Sequence, residues 1–224
     1  MSMQVQAFGV KAGHPLFELG MYRAAAGQTQ DVALAGLLGD RFIARDRHDT
    51  NALVGAGYLL SGPERARVSI EYGINLFYLD QTRVTGFIQQ ELMFTNLAYS
   101  YQVTHFPVYA MAKALVKSPC EKIDFTVDAG IGPNFMNIHA YKEHALNDMT
   151  LPNNAFNGRS LTQLSEMVGV GLQINNFFGK VPFEVGYRFY NLGKGSLRPR
   201  TDQILNNLST GNITAQALIA TVRF

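Results

Sequence analysis

From Val68 to Tyr78 the chain alternates without a slip. Val68, Ile70, Tyr72, Ile74, Leu76 and Tyr78 fall in one phase, and Ser69, Glu71, Gly73, Asn75 and Phe77 in the other. A period of two belongs to a strand with two unlike faces, one greasy and one small or polar. The pattern recurs in Ile123, Phe125, Val127, Ala129 and Ile131 against Asp124, Thr126, Asp128, Gly130 and Gly132. It recurs again in Val181, Phe183, Val185, Tyr187 and Phe189 against Glu184, Gly186, Arg188 and Tyr190. No stretch of about 18 uncharged apolar residues is present, so the chain holds no membrane-crossing helix.

Five further segments complete a set of eight. Phe17, Leu19 and Met21 oppose Glu18, Gly20 and Tyr22; Val54, Ala56, Tyr58 and Leu60 oppose Gly55, Gly57 and Ser61; Val168, Val170, Leu172 and Ile174 oppose Gly169, Gly171 and Gln173. The chain finishes on Leu218, Ala220, Val222 and Phe224 against Ala217, Ile219, Thr221 and Arg223. In the stretch 97–116, Leu97, Tyr99, Tyr101 and Val103 are apolar in one phase, and Phe106, Val108, Ala110, Ala112 and Ala114 in the other. A bulge near His105 and Pro107 is expected to cause that switch, since proline cannot donate to a ladder. Short connections at 61–65, 117–122 and 175–180 alternate with long polar ones at 28–50, 80–96, 139–162 and 194–211. This is the spacing of an all-β, eight-stranded, antiparallel up-and-down barrel.

Which face looks inward separates two classes of barrel. A water-soluble one hides its apolar face and carries charge outside. Here the other face is rich in Gly, Ser and Thr, only 16% of all residues are charged, and tyrosines cap the apolar face. The reading is therefore a transmembrane barrel with Ile70, Ile74, Val127, Ile131, Val170, Val185 and Val222 toward lipid. A barrel escapes hydropathy tests because half of every strand faces the lumen, and mean hydropathy is indeed −0.01. Trp is absent, so Tyr and Phe are left to form the interfacial girdles.

The block Phe183-Glu184-Val185-Gly186-Tyr187-Arg188-Phe189-Tyr190-Asn191-Leu192-Gly193 and the ending Thr221-Val222-Arg223-Phe224 resemble the last two strands of small bacterial outer-membrane β-barrels. These are the OmpA, OmpX and OmpW type and the related opacity and surface-antigen porin-like proteins. Val103-Thr104-His105-Phe106-Pro107 is similar to the entry of the fourth strand in the OmpW-like branch, and Asp128-Ala129-Gly130-Ile131-Gly132 to the strand after it. The resemblance covers about residues 15–224 and implies a barrel with four long extracellular loops and periplasmic turns and termini. Residues 1–14 are an N-terminal periplasmic segment or an artificial start, and 1–10 show neither the basic nor the apolar region of a secretory signal. The resemblance also implies that Leu218, Ala220, Val222 and Phe224 form an assembly signal read by the barrel assembly machinery. The expected role is structural or surface-interacting, with at most a narrow pore. The alternative is an OmpW-like channel for small hydrophobic molecules that leave sideways through the wall, with Pro107 as the local hint. A lipid-modifying enzyme is a third reading, but neither His105 nor His139 has the closely spaced serine of such deacylases.

Eight charges are expected to meet inside: Glu18, Glu71, Lys113, Asp124, Asp128, Glu184, Arg188 and Arg223. An eight-stranded lumen is just wide enough for side chains to fill it, so these should pair as a plug. Opposite charges exchanging partners would instead line a gated polar path. His139, His144, Glu143 and Asp148 read as solvated loop residues and no metal site or cofactor is assigned. The mixed run Asp40, Arg41, Arg45, Asp46, Arg47 and Asp49 reads as a self-compensated loop. Lys194, Arg198 and Arg200 make the last loop basic, which suits outer-membrane lipids and lipopolysaccharide, and host or envelope partners are assigned to the loops. A formal net charge of +2 gives no reason to expect nucleic acid. With one cysteine, Cys120, no intrachain disulfide can form.

Overall fold

In the computed structural model of the chain, residues 13–119, 122–179 and 181–224 are described; Cys120 and residues 1–12 lie outside them. The strands are β1 (Gly13–Ala25), β2 (Gln30–Val32), β3 (Asp40–Asp46), β4 (His48–Arg65), β5 (Val68–Gln90), β6 (Phe94–Lys117), β7 (Ile123–Ala145), β8 (Phe156–Asn157), β9 (Arg159–Phe178), β10 (Val181–Pro199) and β11 (Leu208–Arg223). Eight of them, β1, β4, β5, β6, β7, β9, β10 and β11, pair antiparallel with their neighbours in turn. The ring closes where Phe17 of β1 meets Val222 of β11 on one side and Ala56 of β4 on the other. Closure leaves the lower wall without an edge, which a backbone surrounded by hydrocarbon requires.

The apolar phase faces outward over the half of the barrel nearest the turns. Ile74 is 56% exposed and Val170 58%, and Ile70, Val127, Ile131 and Val185 are exposed beside them, while Val222 is half-buried. Tyr72, which a soluble barrel would keep inside, is exposed as well. Phe17 and Phe224 meet edge to face at the bottom of this belt. On β7 it climbs from Ile123 to Phe135, and polar Asn137 follows. At about 3.3 Å per residue and a tilt near 40°, those dozen residues rise about 30 Å, enough for a hydrocarbon core.

Above the belt the faces exchange character. On β6, Leu97, Tyr99, Tyr101 and Val103 are buried in the same inward phase as His105, Tyr109 and Lys113, while Phe106 and Ala110 point out. β6 itself therefore carries no bulge near His105 and Pro107 and does not switch phase, and its ladder to β7 runs in one register from Gln102↔His139 to Lys117↔Asp124. What changes is the medium. Where lipid surrounds the wall the apolar side chains face out, and where water surrounds it they turn to a core inside. The extra residue at that height is on the partner strand, β5, between Leu79, which pairs with His105, and Thr82; β7 carries another opposite Tyr101, where Ala140 takes a φ of 53°.

The segments read as long loops are largely strand. β5 and β6 meet across residues 91–93 alone, and 200–207 is all that separates β10 from β11. The first connection folds into the β2/β3 hairpin, with β3 continuing the wall along upper β5 from Arg41↔Gln89 to Asp46↔Thr85. Its charges find partners outside their own run: Arg41 with Asp31 at 2.7 Å, Asp46 with the Thr85 hydroxyl, and Asp49 with the backbone N–H of Arg83. Phe42, Tyr99 and Phe156 pack edge to face in the core beneath, with ring centroids 5.3 and 5.5 Å from Phe42.

Candidate functional site

The inward side chains form two layers. Near the turns lies the charged one. Arg188 of β10, 2% exposed, donates to Glu18 of β1 at 2.5 Å and to Asp128 of β7 at 3.0 Å. Lys113 of β6 donates to Glu184 at 2.5 Å and stands 4.0 Å from Asp128. The Thr126 and Thr221 hydroxyls donate to Glu184 and Glu18. Glycines face these groups because a side chain would strike them: a Cβ on Gly169 would sit 2.3 Å from the Asp128 carboxylate. Below, Arg223 binds Glu71 at 2.5 Å and also Gln173, closing a mouth cavity of about 380 Å³.

Seven of the eight expected residues thus form ion pairs. Asp124 does not: its carboxylate accepts from the Ser118 N–H at 3.0 Å and the Asn175 amide at 2.8 Å, bracing the turn region. Two cations and three carboxylates crowd the central group, and each charge has an opposite partner, as burial demands.

The second layer is aromatic and was not expected. Phe77, Tyr109 and Tyr190 pack across the lumen with centroids 5.6 to 6.2 Å apart, and the Arg188 guanidinium lies 5.5 Å over the Phe77 ring. Above them Asn134 donates to the Leu192 carbonyl and contacts His105 Nδ1 at 3.0 Å. Met111, Met136 and Met167 fill the remaining space. Phe77 and Tyr190 stood in the polar phase of their strands, and those two aromatics were the available sign of this layer.

At the loop end, Glu143 is buried rather than solvated. Its carboxylate accepts the N–H groups of Asn153, Asn154 and Ala155 at 2.8 to 2.9 Å and the Tyr141 hydroxyl at 2.6 Å. Burial, then the nearby Glu143 charge, push the Tyr141 phenol up, so it stays a donor. His139 and His144 do not join it, and among the described residues no metal-holding group of His, Cys, Asp and Glu exists. Each charge-assisted bond is worth about 1.5–3 kcal/mol, so Glu143→Ala is expected to release residues 146–155. Limited proteolysis should then cut there more than tenfold faster, with the barrel core intact.

A closed ladder, an outward apolar belt and an inward charge layer define a transmembrane β-barrel, with the fold of the outer-membrane barrels. The fold is matched by the outer membrane protease OmpT of Escherichia coli, at 9% identity over 100% of this chain and 99% of that one, with a TM-score of 0.54. OprG of Pseudomonas aeruginosa is similar at 12% identity, with 96% and 98% covered and a TM-score of 0.49. The neisserial surface protein NspA is similar at 11% identity, with 94% and 95% covered and a TM-score of 0.44. No family model matches the chain, and no curated protein matches it.

Proposed function

We propose that this protein is a non-enzymatic structural and surface-interacting barrel of the outer membrane, closed to solutes. The observation that carries the reading is the filled lumen: the charge layer, the Phe77, Tyr109 and Tyr190 layer and the loop-end core follow one another up the interior. Interaction with outer-membrane lipids, lipopolysaccharide or host and envelope partners then belongs to the outer surface of the loop end. Turns and both termini face the periplasm, and Leu218, Ala220, Val222 and Phe224 present their outward row to the assembly machinery.

The sideways channel has one observation in its favour. With the register unchanged, the β5–β6 ladder lacks pairs between Leu76↔Val108 and Leu79↔His105 beside Pro107, and the β6–β7 ladder lacks them between Pro107↔Asn134 and Ala110↔Ile131 beside Pro133. Two neighbouring seams are thus weakened at one height, although Tyr109 and Phe77 fill the space behind them.

Refolded protein in a planar bilayer is expected to give no unitary current, and liposomes carrying it no added uptake of small hydrophobic molecules. Steady current would establish a pore, and uptake without current would favour the side exit. Incubation with membranes should leave lipid A mass unchanged; a shift would reinstate a lipid-modifying enzyme.

A further inference from the structure

The ladder between β9 and β10 is not continuous, although the strands stay in contact where Gly193 lies against Gln163 and Leu164. The two strands pair from Val181↔Phe178 up to Asn191↔Glu166, and higher up β8 takes over with Arg198↔Asn157 and Pro199↔Phe156. Between these paired stretches no ladder joins residues 159–165 to residues 192–197 in the described chain. On its other edge β10 shifts register against β11 twice over the same stretch, at Asn191/Gly193 and at Lys194/Ser196, and Gly193 takes a φ of 86°. The Leu192 carbonyl turns to Asn134 inside the barrel, and the Gly195 N–H goes to the Thr210 hydroxyl.

The resulting window holds a cavity of about 310 Å³ lined by Arg159, Gln163, Lys194, Ser196, Asn207 and Ser209, together with Leu161 and Gly195. Two of these carry positive charge and none is acidic. Among the described residues neither Arg159 nor Lys194 forms an ion pair. Gln163, Ser196, Asn207 and Ser209 offer hydroxyl and amide groups, the complement of a hydroxyl-rich ring. The window opens just above Leu164, the topmost outward apolar residue of β9, whose next outward residue is Thr162. That is the height at which the sugars of an outer-leaflet glycolipid begin.

We propose that this window binds a phosphorylated sugar, supplied in place by the saccharide of the outer-leaflet glycolipid. Arg159 and Lys194 hold the phosphate from two sides, and Gln163, Ser196 and Asn207 bond the ring hydroxyls. A phosphate accepts from guanidinium and ammonium together, and in a slot half withdrawn from water such bonds outweigh those of a fully exposed lysine. The inference deepens the surface-interacting role proposed above. Its test reads binding, not conductance, so either can fail without the other.

Full-length protein in detergent, confirmed as folded by heat-modifiable gel mobility, is titrated with purified lipopolysaccharide, with the same material dephosphorylated, with inorganic phosphate and with a sulfated disaccharide. The parent should bind intact lipopolysaccharide at least tenfold more tightly than the dephosphorylated form, and added NaCl should weaken that binding. Arg159→Gln with Lys194→Gln should abolish the preference, Ser196→Ala should reduce it in part, and millimolar phosphate should not compete. Equal affinity for the two lipopolysaccharide forms, or full retention by the double variant, would overturn the proposal. Competition by the disaccharide or by free phosphate, with the preference for phosphorylated glycolipid retained, would overturn the assignment to the leaflet.

Discussion

Arg188→Ala is expected to cost about 3–5 kcal/mol of folding free energy, because removing one member of a buried ion group leaves charges without compensation. Glu18 loses its partner at 2.5 Å and Asp128 keeps only Lys113 at 4.0 Å. The Phe77 ring loses the guanidinium above it as well. Trp is absent from the chain, so unfolding in urea from lipid vesicles is best followed by circular dichroism or by the mobility difference of folded and unfolded forms on a gel. Converting Arg188 to Met and Glu18 to Leu together should recover the part of the loss that comes from Glu18, while Asp128 still keeps only Lys113. A single variant as stable as the parent would dismiss the plug.

The second large effect concerns the belt. Val170→Arg places a cation on the outer wall between Val168 and Leu172, and a charge there near mid-membrane costs about 2–4 kcal/mol. Gln102→Arg, on the outward face of β6 above the belt, should change stability by less than about 0.5 kcal/mol, as surface substitutions do. The pair of variants measures where hydrocarbon ends. Similar costs at both positions would mean that the wall sees one medium along its whole height.

The lower half of the molecule was legible because alternation there is local. Val68 to Tyr78 shows its two faces with no knowledge of any neighbouring strand, and Glu18, Arg188, Lys113 and Glu184 follow from the same phase. The upper half was not, since alternation reports that two faces differ and is silent on which one meets water. Leu97 to Val103 therefore resembled a slipped strand, although β6 never changes phase. Bulges were misplaced for a related reason: the extra residue near Asp80 is defined by pairing with residues over twenty positions away on β6. Glu143 belongs to the same class, as its partners arrive from Asn153 to Ala155 across a turn. The window between β9 and β10 depends on a register offset between β8 and β10, which left only Gly193, Gly195 and the nearby cations as traces.

The exchange of faces also orders events during biogenesis. In the orientation proposed above, with the loop end outside, the residues on its outer wall, Arg83, Ser100 and Gln102 among them, would have to traverse acyl chains on the way to the cell exterior. A finished, water-coated dome could not make that passage without stripping every one of those groups at once. In that orientation the hairpin tips would cross while still unpacked, with the cluster around Phe42 condensing afterwards as a latch against the strands sliding back.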